Sequence, residues 1–248
     1  MFLFELLNLG EGFRKYFEIV PAMTDELRDE AYRLRHAVYC EELGWEPLRP
    51  DGLESDEYDA HSLHCLIRAK KDGRFAGCTR LILARPGEPH HPLPFEKACA
   101  ATLDRSICDP QALPRHTIAE VSRLAVISRY RRRKGEERTP MAISDDSFGS
   151  KDQPRFPYIP VALYLGTIEM AARSGIDTIF VLTEPRLAGH FAKLGVQVKR
   201  IGGAVEHRGT RVPSMMSVQG ILSGLNFIVR PLYRAVAREV EAGMRPPG

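Results

Sequence analysis

The 248-residue sequence lacks the features that define several large classes of protein. No run approaches the roughly 20 apolar residues of a transmembrane helix, so we expect no membrane span. The five cysteines form no C-x-x-C pair and no spacing with histidine that is typical of zinc, so we expect no metal site and a reducing, cytoplasmic setting. The net charge of +3 is too small by itself to predict a nucleic-acid partner.

The N-terminus, "MFLFELLNLG", lacks the features of an export sequence. It has no basic segment and no small-residue cleavage site, and it contains Glu5. We therefore predict a short amphipathic helix over residues 1–10. Two roles stay open for it, packing on the domain surface or covering an apolar cavity, and a peripheral membrane contact stays open as well.

What the sequence does contain is enough apolar material, 44% of residues, for one sizeable core. Hydrophobic periodicity predicts an α/β domain with a mixed, twisted sheet flanked by helices. We take residues 1–248 as a single domain with a core at about 16–218. The predicted helices lie at 25–43, 159–174, 184–195 and about 225–243, and the predicted strands at 16–22, 61–70, 75–84, 119–126, 176–183, 196–202 and 211–218.

The stretch "AEVSRLAV", residues 119–126, has the pattern of a buried strand but carries two charges. Burying an unpaired charge costs several kcal/mol. Glu120 and Arg123 are three apart, so a regular strand points them to opposite faces. Either one faces a site while the other is satisfied elsewhere, or a β-bulge brings both to one side. If both serve one face, the sequence predicts a bulge or a strong twist between residues 120 and 123.

These two residues end a longer ordered series of charged and aromatic residues. The series consists of Arg35, Tyr39, Trp45, Asp56, Asp59, Arg80, Phe95, Glu120 and Arg123. Its order and short spacings, its single tryptophan and the strand "EVSRLAV" resemble the acyl-homoserine lactone (autoinducer) synthases within the GNAT acyltransferase superfamily. The resemblance covers about residues 16–218 and implies a GNAT-like N-acyltransferase fold.

The resemblance also implies roles for the series. Glu120 would be a general base acting directly or through a water, with Arg123 beside it. Two alternatives stay open: Glu120 is a buried carboxylate paired with Arg123, and Ser122 either orders a water or is only a small residue. An ion-pair network would either fasten the first helix to the sheet or bind an acceptor that carries an ammonium and a carboxylate; its members are Arg35, Asp56, Asp59 and Arg80. An apolar wall near the acyl group, or simply core packing, would account for Tyr39, Trp45 and Phe95.

The acyl donor is predicted to bind beside the same strand. By resemblance, backbone N–H groups of Ala125, Val126 and Ile127 would contact its pantetheine arm. Where the superfamily has a glycine-rich pyrophosphate loop, this sequence has "SRYRRRKGEE" with one glycine. That change favours a donor carried on acidic acyl carrier protein over acyl-CoA. The predicted docking residues are Arg129, Arg131, Arg132, Arg133 and Lys134, although a solvated loop or a weak nucleic-acid patch explains five basic residues as well.

Two differences from the autoinducer synthases bear on the identity of the product. Tyr39 and Leu124 replace aromatic residues usual in the autoinducer synthases, and the segment "TEPRLAGHFAKLGVQVKRIGGAVEHRGTRVPSM" is similar to a sister group. That group contains N-acyl amino acid synthases and acyltransferases of the PEP-CTERM/exosortase system. Our hypothesis is a cytoplasmic N-acyltransferase that moves a fatty acyl group from acyl carrier protein, or from acyl-CoA, to the amine of an amino acid or similar small metabolite. No permanently bound cofactor and no nucleic-acid partner are expected.

Two alternatives accompany this hypothesis. The first is an acyl-homoserine lactone synthase that uses S-adenosylmethionine. The second belongs to another class, a non-catalytic GNAT-like module that binds acyl carriers or a partner protein.

Overall fold

An eight-stranded mixed sheet forms the centre of the computed structural model, which describes residues 9–85, 87–88, 90–131, 157–185, 191–192 and 194–245. The strands are β1 (Phe17–Pro21), β2 (Ser62–Ala69), β3 (Phe75–Leu83), β4 (Ile118–Val126), β5 (Thr178–Thr183), β6 (Lys199–Arg200), β7 (Val205–Glu206) and β8 (Thr210–Ser217). Their spatial order is β1-β2-β3-β4-β5-β8-β6, with β7 pairing β8. Among these strands only β4 and β5 run parallel; the other pairs are antiparallel. The predicted mixed sheet is confirmed.

Helices cover both faces of this sheet. They are α1 (Leu9–Tyr16), α2 (Asp25–Arg35), a π-helix (His36–Glu42), α3 (Pro94–Ala98), α4 (Tyr158–Arg173), α5 (Val218–Gly224) and α6 (Arg230–Met244). α2 begins after Thr24, whose side chain accepts a hydrogen bond from the Leu27 N–H, and it has acids in its first turn. The helical path continues through the π-helix and stops before Gly44, whose φ is +62°. The predicted helix at 25–43 is therefore confirmed.

The two faces of the sheet carry different chemistry. One face packs against α4 and α6 through an apolar cluster that includes Leu81 and Ala119. The opposite face meets α2 through a smaller cluster that includes Cys78 and Ala125. Because side chains alternate along a strand, the residues of β3 and β4 that share this second face also include Arg80 and Glu120. Arg80 thus lies between the sheet and α2, and Glu120 lies on the same face of the sheet against Phe95 of α3.

Both ends of the chain differ from expectation. Gly10, predicted to end the first helix, lies inside α1, where a Cβ would meet the Pro231 carbonyl oxygen at 2.5 Å; its lack of a side chain lets α1 approach α6. The predicted helix at 225–243 begins only at Arg230, because Pro231 suits a first helical turn and Leu225 follows the end of α5.

Several predicted features lie outside the described residues. These are residues 1–8 of the first predicted helix and half of the predicted helix at 184–195, namely residues 186–190 and 193. Residues 132–156, which include the predicted docking residues Arg132, Arg133 and Lys134, also lie outside. Among the helices that the structure does describe, none is long and apolar enough to cross a membrane.

Candidate active site

The strand β4 carries the predicted irregularity. Ser122 pairs with Arg80 of β3 and Ala125 pairs with Cys78, so Arg123 and Leu124 together oppose a single residue of β3. This two-against-one pairing is a β-bulge. Arg123 has φ +52°, in the left-handed region that side chains rarely adopt.

The bulge turns Arg123 toward the face that holds Glu120. Its guanidinium lies 3.1 Å from Glu54 and 3.3 Å from Asp56, and Asp56 also binds Arg80 on the same face. Regular alternation would have pointed Arg123 toward α4. The prediction of a bulge that places both charges of "AEVSRLAV" on one face is therefore confirmed.

We expect Arg123→Gly to unfold at a higher urea concentration than Arg123→Ala. Both variants lose the same ion pairs, but glycine adopts φ +52° without steric cost. Alanine is penalised there by about 1 kcal/mol. Chemical denaturation of the two purified variants measures the difference, and equal midpoints would show that the left-handed backbone is not maintained.

Arg35 is the centre of the charged network. Its side chain is fully buried, and it donates to the Glu54 carboxylate and, in a two-pronged contact, to Asp59 at 2.6 and 3.0 Å. The π-helix that follows Arg35 places Tyr39 next to Arg123, with the guanidinium 5.6 Å from the ring centre. α2 is thereby fixed to the sheet through ion pairs as well as apolar packing.

Arg80 extends the network onto the central strand. It binds Asp56 at 2.6 Å and Asp59 at 2.8 Å, while its Nε donates to the Ser122 hydroxyl at 3.1 Å. Ser122 therefore positions Arg80 in this structure. The network joins all four of the residues predicted for it, Arg35, Asp56, Asp59 and Arg80, and adds Arg123.

The acids of the network stay ionised. Burial alone would raise the pKa of Asp59, but hydrogen bonds and charge from Arg35 and Arg80 hold it well below its usual value. Burial also opposes ionisation of Asp56 and Glu54, but Arg80 lowers the pKa of Asp56 and Arg35 lowers the pKa of Glu54. These carboxylates are consequently hydrogen-bond acceptors and are unsuited to take up a proton at neutral pH.

Glu120 differs from those acids in its lack of an arginine partner among the described residues and in the direction of its pKa shift. It is 4% exposed, and no described basic residue forms an ion pair with it. One carboxylate oxygen accepts a hydrogen bond of 2.8 Å from the Phe95 N–H in the first turn of α3. Burial raises the pKa of Glu120 to about 8, against the opposing effect of that hydrogen bond. The alternative of a Glu120–Arg123 pair is wrong, because Arg123 binds Glu46, Glu54 and Asp56 instead.

The three predicted aromatic residues fall into two groups. Phe95 is buried and stacks on Phe180 with ring centres 4.5 Å apart, close to Glu120. Tyr39 donates its hydroxyl to the Leu124 carbonyl in the bulge at 3.1 Å, and Trp45 lies 6.1 Å from the Tyr39 ring. The aromatic residues therefore border both the carboxylate and the bulge.

The predicted donor region lies where β4 separates from β5. Parallel pairing joins Ile118–Val121 to Thr178–Val181 and does not continue along the rest of β4. Ala125 and Val126 lie beyond that point. The Ile127 N–H already donates to the Ala76 carbonyl of β3 at 3.1 Å, and Ala125, which pairs with Cys78, faces β3 in the same way. Among the three predicted contacts, Val126 is the one whose N–H points away from β3.

The predicted docking arginines are only partly described. Arg129 forms an ion pair with Asp72 at 3.3 Å, and Arg131 is buried and binds Glu42. Each is thus balanced by an acid of the same chain. Arg132, Arg133 and Lys134 lie outside the described residues.

Sequence reasoning missed Glu54 and Glu46. Both lie in the polar stretch after the π-helix, where a single acid has no periodic pattern to mark it. The imbalance of charge was the available indication, because Asp56 and Asp59 alone cannot neutralise the three arginines Arg35, Arg80 and Arg123.

Comparisons with known proteins agree with this geometry. The model of an acetyltransferase (GNAT) domain matches residues 34–139, which include the π-helix, the network from Arg35 to Arg123 and all of β4. The acyl-homoserine-lactone synthase of Pseudomonas fluorescens is 24% identical over 197 residues, 78% of this chain and 81% of the relative.

Solved structures share the fold. BjaI, a CoA-dependent acyl-homoserine lactone synthase solved with SAM and isopentyl-CoA, superposes with a TM-score of 0.56 at 21% identity, covering 90% of this chain and 98% of that one. FeeM, an N-acyl amino acid synthase from uncultured soil microbes, gives 0.51 at 14% identity, covering 86% and 96%. The chain has the GNAT fold, its relatives are acyl-homoserine-lactone synthases, and it is accordingly an acyltransferase.

Proposed function

We propose that the chain is an acyl-homoserine lactone synthase, which acylates the amine of S-adenosylmethionine from an acyl thioester. This was the alternative to our first hypothesis, a free amino acid acceptor. The similarity to the Pseudomonas fluorescens synthase across 78% of the chain supports the change. The geometric observation that carries the chemistry is Glu120, a buried carboxylate without an ion-pair partner among the described residues, beside a network of ionised acids and arginines.

The reaction needs a neutral amine and an acceptor for its proton. The amine nitrogen attacks the thioester carbonyl carbon, the C–S bond breaks, and the thiolate leaves. Glu120, directly or through a water, takes the proton that the amine loses, and that proton ultimately neutralises the thiolate. The carboxylate of the acylated acceptor then attacks its own γ carbon, which closes the lactone and releases methylthioadenosine.

The network supplies the two charges that this acceptor requires. Asp56, 27% exposed at its side chain, is the accessible acid of the group and suits an ammonium. Arg123, 17% exposed, is the accessible arginine and suits a carboxylate. Arg35 and Arg80 are too deeply buried to meet a ligand and instead hold these acids in place.

Either acyl carrier protein or coenzyme A would present the donor. The opening between β4 and β5 past Val121 provides space for a pantetheine arm beside Ala125 and Val126. The pairing of Arg129 and Arg131 with acids of the chain gives no advantage to the carrier protein, so both donors belong in the test.

A free amino acid acceptor is the second candidate. It is favoured by the resemblance of the segment at 183–215 to N-acyl amino acid synthases and to PEP-CTERM/exosortase-associated acyltransferases. In the structure this segment supplies the end of β5 and the β7–β8 hairpin, where Arg211 binds Glu184 at 2.8 Å.

The purified protein is incubated with acyl-CoA or acyl carrier protein and with either S-adenosylmethionine or the twenty amino acids. We expect acyl-homoserine lactone and methylthioadenosine in equal amounts by mass spectrometry. Acyl amino acids without lactone would replace the proposal by the second candidate. Absence of any product with all donors would favour a non-catalytic binding module.

A further inference from the structure

The hairpin between β7 and β8 reaches the charged network through one residue that no motif marks. Arg208, at the tip of this hairpin, forms an ion pair with Glu46. The same carboxylate oxygen of Glu46 accepts from Arg123 at 3.2 Å. Arg123 stands on β4, whereas the hairpin belongs to the part of the sheet beyond β5. The Arg208–Glu46–Arg123 link therefore crosses the opening where β4 and β5 separate.

The backbone gives an independent indication. Among the described residues, Arg123 and Arg208 are the two that have a positive φ without being glycine, at +52° and +54°. Such conformations cost energy and cluster at functional sites, where the surrounding structure enforces them. Here both strained residues point their guanidinium groups at one carboxylate. The hairpin holds Arg208 in place, since its carbonyl accepts a hydrogen bond from Arg211 at 3.1 Å.

The link is accessible, and its single carboxylate is shared by two arginines. Side-chain exposure is 17% for Arg123, 19% for Glu46 and 27% for Arg208. Glu46 is thus one carboxylate shared by two arginines, while Arg123 keeps Glu54 and Asp56 as further partners. Burial lowers the pKa of the neighbouring His207, and the charges of Arg208, Arg123 and Arg211 act in the same direction.

We propose that Arg208 and Arg123 form the binding position for the carboxylate of the amine acceptor, and that Glu46 occupies this position from within the chain when no acceptor is bound. An entering carboxylate displaces Glu46 and takes over its two guanidinium partners. Arg123 stays oriented during the exchange because Glu54 and Asp56 still hold it. This inference rests on the proposed function and names Arg208 as a residue that determines acceptor specificity.

The test compares S-adenosylmethionine with its decarboxylated form in steady-state kinetics. Arg208→Gly removes the guanidinium and suits the left-handed backbone, so the hairpin is expected to fold. It should raise KM for S-adenosylmethionine at least about tenfold and change KM for the decarboxylated acceptor by less than about twofold. Arg208→Lys should be intermediate, because a lysine supplies charge without the planar fork.

Glu46→Gln tests the exchange from the other side. It removes the internal competitor, so KM for S-adenosylmethionine should fall while kcat at saturation stays unchanged. Arg245→Ala, an exposed arginine at the end of α6 that binds Glu241, is the control and should leave both acceptors unaffected. Arg208→Gly changing both acceptors equally, or neither, would overturn the inference.

Failure of the proposed function would give different results from failure of this inference. If the wild-type protein acylates a free amino acid, the same comparison is made with that amino acid and its α-amide, and the carboxylate-binding position is still judged by Arg208→Gly. If S-adenosylmethionine is acylated and Arg208→Gly has no selective effect, the function stands and the inference falls. If no acceptor is turned over, both fall together.

Discussion

Glu120→Gln should lower kcat by at least about 100-fold, since a positioned general base contributes that much or more. The amide keeps the size of the carboxylate but cannot take a proton from the acceptor amine. It can still accept the hydrogen bond from the Phe95 N–H, so the packing around α3 should survive. Steady-state kinetics and circular dichroism on the same preparation measure the two effects separately.

The pH profile identifies the group. Because burial raises the pKa of Glu120 to about 8, the deprotonated base is the minor form at pH 7. kcat/KM of the wild type should therefore rise with pH up to about 8 and then level off, and Glu120→Gln should lack the rise that Glu120 contributes. Glu57→Gln, an exposed acid beside Lys97, is the matched control. A variant that keeps full activity and the wild-type profile would remove Glu120 from the base role.

The same group affects stability in a defined direction. The folded pKa of Glu120 lies above the usual 4.5, so between about pH 4.5 and 8 the folded state holds a proton that the unfolded state has released. The free energy of unfolding contributed by this group therefore decreases as pH rises through that window. Glu120→Gln should remove this pH-dependent decrease in the free energy of unfolding, although the variant loses activity.

Arg35→Ala should lower the free energy of unfolding by about 3–5 kcal/mol, the usual cost of removing one partner from a buried ion pair. Arg35 is fully buried, and its loss leaves Glu54 and Asp59 without their shared partner. The whole stability of a domain is about 5–15 kcal/mol, so the variant should be close to unfolding at 37 °C. Urea denaturation monitored by tryptophan fluorescence reports the change, since Trp45 lies near the π-helix.

Arg33→Ala provides the control on the same helix. Arg33 binds Glu30 at 2.6 Å, but its side chain is 53% exposed, and exposed pairs contribute only about 0–1 kcal/mol. Arg35→Lys should fall between the two variants, because it restores the charge but not the contacts to two acids at once. Equal losses for Arg33→Ala and Arg35→Ala would contradict the central role of Arg35.

The strand "AEVSRLAV" shows how much of the structure can be predicted from the sequence. Its hydrophobic pattern predicted a buried strand, and the odd spacing of Glu120 and Arg123 left two arrangements, opposite faces on a regular strand or one face through a bulge. The structure has the bulge. The resemblance to the autoinducer synthases predicted that Arg35, Asp56, Asp59 and Arg80 meet, and they do. Local patterns that repeat with a fixed period are visible in one sequence.

Contacts made across long separations are not visible in that way. Glu46 meets Arg208 across 162 positions, and neither residue belongs to a periodic pattern or a motif. Gly10 looked like the end of a helix because glycine usually breaks one, yet its close approach to Pro231 depends on how α6 returns to β1. Such residues are specified by tertiary packing, which no local pattern encodes.

The contact between Tyr39 and Leu124 has a consequence at the level of the gene. A π-turn spans one residue more than an α-turn, and a bulge holds one residue more than its partner strand. The Tyr39 hydroxyl joins the two irregular segments, because it donates to the Leu124 carbonyl in the bulge. Deletion of a single codon from either segment would keep the reading frame but would rotate Tyr39 or Arg123 away from the other. The extra residue in the helix and the extra residue in the strand are therefore useful only together.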